Sequence, residues 1–132
     1  MVRSSWTLNH MALFHQAVRG VRVREYKPGA CGSFADIVVD FEPAPEFEFV
    51  VMVDPEVLYP EHAQATGEGI RRALAGEPWS TFTSEEPLLV SGPDALKVRA
   101  VLVGGRSHET DSNEMVSQRA GWTAVKTALS LL

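Results

Sequence analysis

The run from Val98 to Met115 constrains the fold more than any other part of the chain. Ala95 to Val103 is apolar and β-branched, the make-up of a strand, and Gly104-Gly105 then reads as a turn into a polar loop. From near Ser112 the apolar residues Met115, Trp122, Val125, Leu129 and Leu132 recur at helical spacing, with small Ala120, Gly121, Ala124 and Ala128 among them. They predict a last helix with one broad apolar face. Asp111 or Ser112 offers its N-terminal cap, and Asp111-x-x-Glu114 has the spacing of a capping box. A strand that feeds such a helix through a short loop requires a sheet for that face to cover.

The rest of the chain supplies one. Leu8, Met11, Ala12, Phe14, Ala17 and Val18 follow possible caps at Ser4-Ser5, which predicts a helix over 6–19 that Gly20 stops. Val21 to Tyr26 alternates apolar with charged residues and predicts a half-buried strand. Lys27 to Ser33 is a glycine-rich turn. Phe34 to Phe41 predicts a second strand, broken by Glu42-Pro43-Ala44-Pro45-Glu46, and Phe47 to Val53 a third, expected to pair antiparallel to the second. Pro60 opens a helix with the stripe Ala63, Thr66 or Gly67, Ile70, Ala73 and Leu74, closed by Gly76. Gly67 and Gly69 each cost that helix about 1 kcal/mol relative to Ala, which points to a close approach to the sheet. Residues 77–94 read as an irregular excursion. The order helix, three strands, helix, strand, helix predicts an α+β sandwich of two layers.

Bulk properties exclude several functions. At 132 residues the chain fits one domain, and no apolar run approaches the ~18 residues of a membrane span. A basic start and cleavage site of a signal peptide are missing, and one cysteine, Cys31, allows no internal disulfide, so a reducing cytoplasmic setting is expected. The net charge is −5, with no basic residue between Lys27 and Arg71 but nine acids from Asp36 to Glu68. That distribution argues against a broad RNA-binding surface and leaves room only for a local contact.

No P-loop, nucleophile elbow or His-Glu-x-x-His motif occurs. His10 and His15 are five apart, on different helix faces, and do not make a metal pair. His108, Glu109 and Asp111 are too close in sequence to converge on an ion without further ligands, and Asp111 already has a role as a cap. Cys31 lies between glycines near Lys27, as a reactive thiol or an incidental turn cysteine. Gly29 and Gly32 could cradle a phosphate or simply connect two strands.

These residues resemble a known family. Gly105-Arg106-Ser107-His108-Glu109-Thr110-Asp111-Ser112-Asn113-Glu114 is similar to the Gly-x-x-His-x-x-Asp-Ser-x-Glu signature of domain IV of translation elongation factor G. Val21 to Tyr26 resembles the family's first strand of that domain, and Gly29 to Ile37 its glycine-rich loop and next strand. Phe41-Glu42-Pro43 and Phe47-Glu48-Phe49-Val50 resemble its Glu-Pro turn and Phe-x-Phe strand. Gly69-Ile70 with Ala73-Leu74 and Ala120-Gly121 resemble its two helices. The likeness covers about residues 20 to 130 and is interrupted at 77–94, where this chain is longer.

The resemblance implies a four-stranded mixed sheet backed by helices, with a left-handed β-α-β crossover. It also implies a single domain over 1–132, made of the 6–19 helix and a domain IV-like unit over 20–132. In the family the two loops form a tip that enters the decoding site of the small ribosomal subunit. Carried over residue by residue, that tip is Gly29, Gly32 and Ser33 from one loop and Arg106, Ser107 and His108 from the other. Departures are Ala30, Cys31 and Ser33 in the glycine loop, and Ser117 and Arg119 on the last helix. The altered helix face would meet the N-terminal helix or a second subunit. Because the likeness includes no GTPase domain, neither GTP binding nor translocase activity is expected, nor any enzymatic activity, cofactor, metal or membrane partner. The expected function is a cytoplasmic, ribosome-associated accessory protein that contacts small-subunit RNA through its tip. The alternative is a repurposed, homo-oligomeric protein-interaction module with no RNA role.

Overall fold

The computed structural model describes residues 16–27, 32–81, 83, 94–108 and 111–131. Alternation sets the first strand, β1 (Val18–Lys27), whose Val18, Val21 and Val23 are buried. Val18 and Val21 are three apart, so strict alternation would put them on opposite faces; a bulge between them restores the match. Gly20 sits in that bulge at φ +67°, and its N–H donates to Asp40 Oδ1 at 2.7 Å. The expected 6–19 helix is therefore corrected at its end: Val18 and Arg19 are strand, and Gly20 is a bulge residue in place of a helix stop. Residues 6–15 of that helix, with His10 and His15, lie outside the described residues.

β2 (Ser33–Pro43) points Ala35, Ile37, Val39 and Phe41 into the core and Asp36, Val38, Asp40 and Glu42 to the other face. It pairs antiparallel with β1 and with β4 (Val98–Arg106). β4 starts and ends three residues later than the 95–103 expectation. Gly104 and Gly105 are part of the strand and make no turn; a bulge beside Val38/Val39 absorbs the extra residue. Gly105 has φ +136°, and a Cβ there would lie 2.3 Å from the Asp36 carbonyl oxygen, so only glycine fits.

The short β3 (Glu48–Val51) runs parallel to β4, which lies between it and β2, so the antiparallel pairing expected with β2 does not form. Pro43 and Pro45 have no N–H to give to a hairpin ladder, and the Ala44 N–H instead donates to the Lys97 carbonyl at 3.1 Å. The chain thereby passes the start of β4 and enters the sheet on its far side. The result is a four-stranded mixed sheet in the order β1-β2-β4-β3.

Among the described residues two helices cover one face. α1 (Pro60–Leu74) begins with proline at its first turn, where the missing N–H costs nothing. α2 (Glu114–Ser130) is capped by Asn113, whose side chain accepts from the Val116 N–H at 2.9 Å. The cap is neither Asp111 nor Ser112. Gly67 meets the ring of Phe49 on β3, the sheet contact expected of the pair. Gly69 does something else: a Cβ there would lie 1.9 Å from the Gln118 carbonyl oxygen of α2. Gly121 of α2 has the reciprocal contact, 2.0 Å from the Thr66 carbonyl oxygen of α1. The helices touch backbone to backbone.

Residues 77–81, expected to be irregular, are held against α2. Trp122 Nε1 donates to the Glu77 carbonyl at 3.1 Å, Gln118 Nε2 donates to the Trp79 carbonyl, and the Arg119 guanidinium stacks 5.6 Å from the Trp79 ring centroid. Arg119 also pairs with Glu25 of β1, and Ser117 is buried.

Gly69→Ala is expected to destabilise the fold by at least about 3 kcal/mol, since helix backbone must move. Gly104→Ala, whose Cβ would lie 3.4 Å from Val38, should stay within about 1 kcal/mol of the parent; urea unfolding of both variants measures the contrast. A second expectation concerns Glu68 on α1. Hydrogen bonding from Arg71 holds its carboxyl below the ordinary value of 4.5, against an opposing push from burial and with help from the charges of Arg71 and Arg72. A lowered folded value means the contribution is complete above about pH 4.5 and fades as the pH falls through the folded value. Glu68→Gln should therefore shrink the stability difference between pH 7 and pH 3, by a small amount because the side chain is partly exposed.

Candidate nucleic-acid interface

Strand register collects the site at one end of the sheet. Lys27 faces Ser33, Tyr26 faces Phe34, and Asp36 faces Arg106. The ends of β1 and β4 and the start of β2 therefore lie together, closed off by the segment that leads into α2. The Phe34 N–H donates to the Asp111 carbonyl at 2.9 Å. Ser112 Oγ accepts from the His108 N–H at 2.7 Å and donates to the Phe34 carbonyl at 3.2 Å. Gly32 lets the Asp111 carboxylate in: a Cβ there would lie 2.6 Å from Asp111 Oδ1.

The carried-over tip residues divide by role. Ser33 is buried within the sheet. Gly29, with Cys31, lies outside the described residues. Ser107 is half-buried and turned into the molecule. Its N–H donates to the Val57 carbonyl at 2.9 Å, and its Oγ accepts from the Tyr59 N–H at 3.1 Å while lying 2.7 Å from His62 Nδ1. His62 is itself buried, and the direction of its hydrogen bond with Ser107 Oγ follows the imidazole tautomer. Ser107 is an anchor for the segment between β3 and α1.

Arg106 and His108 face outward. His108 Nδ1 accepts from the Asp111 N–H at 3.2 Å and lies 3.5 Å from Asp111 Oδ2. Its ring centroid is 5.6 Å from Phe34 and 6.3 Å from Tyr26, and those two rings meet edge-on at 5.8 Å. The Arg106 guanidinium lies 5.2 Å from the Phe34 centroid, within cation–π range. Asp36, buried on the outer face of the sheet, holds Arg106 at 3.5 Å and takes two hydrogen bonds from Arg22 at 3.2 and 3.1 Å. Exposed Arg24 and Lys27 complete the cationic rim, neither in an ion pair among the described residues.

Sequence reasoning missed Tyr26, Phe34, Asp36, Arg22 and His62 as parts of this end. The signal for the first two was available, because the last and first residues of strands flanking a tight loop face each other. Nothing local marks Asp36 or His62. Among the described residues no group of three or more His, Cys, Asp or Glu side chains is arranged to hold a metal, and no helix is long and apolar enough to cross a membrane.

Comparison with known proteins follows the same lines. No family model matches the chain. It is 33% identical over 101 residues to elongation factor G 1 of Syntrophomonas wolfei subsp. wolfei, covering 76% of this chain and 13% of that protein. It is 30% identical over 108 residues to elongation factor G of Pseudothermotoga lettingae, covering 78% of this chain and 14% of that protein. A crystal structure of a Thermus thermophilus protein superposes with a TM-score of 0.62 at 23% identity, over 87% of this chain and 16% of that one. This last likeness speaks to the fold alone. A four-stranded mixed sheet under two helices, with these matches, defines a translation-factor domain of α+β build. In particular, the chain carries an elongation factor G domain IV-like region, while spanning only 13 to 14% of the length of these relatives.

Ser107→Ala removes the acceptor for the Tyr59 N–H and the hydrogen-bond partner of His62 Nδ1. It should cost about 1–3 kcal/mol in urea unfolding and speed hydrogen exchange at the Tyr59 amide, leaving distant core amides to follow global stability alone.

Proposed function

We propose that this chain is a cytoplasmic translation accessory protein that contacts small-subunit ribosomal RNA through the Arg106–His108 end of its sheet, without catalysing a reaction or binding GTP. One observation carries the reading. Arg106 lies over the Phe34 ring of the Tyr26–Phe34–His108 group, Arg22 shares Asp36 with it, and exposed Arg24 and Lys27 flank Tyr26 along β1, with carboxylates Asp36 and Asp111 already engaged. A chain of net charge −5 thus presents a local cationic, aromatic end. Cations there match phosphates, and the exposed Tyr26 ring offers a face to bases. The likeness to elongation factor G supports a role in translation. The oligomeric alternative rested on Arg119 and Ser117; Arg119 is engaged by Glu25 and Trp79 inside the chain and lends it no support.

Co-sedimentation with 30S and 70S particles tests the reading. Binding is expected at low salt, with a slope of log affinity against log salt of about −2 to −4 for the few phosphates such an end reaches. Arg24→Glu with Lys27→Glu, both at exposed positions, should weaken binding at least about tenfold without unfolding the chain. Equal pelleting of parent and variant, or none of the parent, would defeat it.

A further inference from the structure

β3 is a terminal strand of the sheet among the described residues. The Met52 N–H donates to the Leu102 carbonyl, so Met52, Val50 and Glu48 turn their backbone groups toward β4. By alternation, Phe49 and Val51 turn theirs outward. Between this edge and the start of α1 lies a groove of about 300 Å³, lined by Val51, Val53, Pro55, Leu58, Pro60 and Ala63. Of its apolar lining, Val51 is 43% exposed, and the neighbouring Met52 and Val57 are exposed as well.

Charge specifies the occupant. The acids of the outer sheet face, Asp36, Asp40, Glu42 and Glu48, are all paired with arginines. Asp54, Glu56 and Glu61, in the segment that forms the groove, are exposed and make no ion pair among the described residues. An apolar slot beside an open strand edge, ringed by unspent negative charge, fits a particular kind of partner. We propose that this groove docks an extended cationic peptide segment, in which Lys or Arg alternates with aliphatic residues, as an added strand on β3. Backbone groups of Phe49 and Val51 pair with the segment, its aliphatic side chains enter the slot between β3 and α1, and its cations face Asp54, Glu56 and Glu61. The site uses residues distinct from the cations of the RNA-facing end, so separate variants test the two.

The test uses the full chain and a labelled nine-residue peptide alternating Lys with Val, followed by fluorescence anisotropy and by amide shifts in NMR. Binding is expected, with the largest shifts at Phe49 and Val51. Glu56→Lys with Glu61→Lys should weaken it at least tenfold, and so should Val51→Lys. The Arg24→Glu variant should bind it unchanged. A Glu-Val peptide of the same length should not bind. The proposal is overturned if the two peptides bind alike, if the shifts map elsewhere, or if the double charge variant binds as the parent does. It is equally overturned if a second copy of the chain or an RNA oligonucleotide, and not the cationic peptide, shifts those two amides.

Discussion

Backbone contact between the two helices at Gly69 and Gly121 is the constraint on which the architecture rests. Helices whose side chains meet ordinarily keep their axes about 8–10 Å apart. Glycine on both sides removes those side chains, so the backbones of α1 and α2 meet directly above the sheet. The approach also places the Gln118 carbonyl against Gly69 and leaves the Gln118 and Trp122 side chains free to hold residues 77–79. A segment with no periodicity of its own is thereby fixed by helix packing.

Much of this fold was legible because burial has a period. Ala35, Ile37, Val39 and Phe41 mark one face of β2, and the apolar stripes of both helices mark the sides that meet the sheet. A period of two identifies a face but says nothing about the neighbour, which is why β3 could be placed in the chain and not beside β4. Glycine misled twice for the same reason: Gly20 and Gly104-Gly105 read as stops, yet they sit in bulged strands that need their backbone freedom. The helix cap was ambiguous because Asp111, Ser112 and Asn113 are all cap formers. Long-range contacts separated them. Ser112 is taken by His108 and Phe34, Asp111 by His108 and the Gly32 turn, and Asn113 alone is left for Val116. At the candidate site the His108 loop was legible as a run of residues. The partners that orient it were not, since Asp36 and His62 lie 72 and 46 positions away from it.

Net charge was a poor guide to local charge. The nine acids from Asp36 to Glu68 suggested an anionic surface hostile to RNA. On the outer sheet face, Arg19, Arg22, Arg99 and Arg106 reach across strands to Asp36, Asp40, Glu42 and Glu48. What stays uncompensated is separated in space: cations at the β1 end of the tip, acids along the segment after β3. Exposed pairs of this kind add little stability, but they decide which charges remain for a partner.

The two poles meet at one residue. β3 and β4 are parallel, so the end of β3 that leads to the acidic groove and the end of β4 that carries Arg106 lie on the same side of the sheet. Ser107 sits between them. It follows Arg106 and precedes His108, and its backbone and hydroxyl hold Val57, Tyr59 and His62, the flanks of the segment whose Leu58, Pro60 and Ala63 form the groove wall. His62 is buried and Ser107 and Tyr59 are half-buried, so these bonds lie partly out of solvent. A displacement of the groove wall must therefore either carry the Arg106–His108 loop with it or break one of these hydrogen bonds.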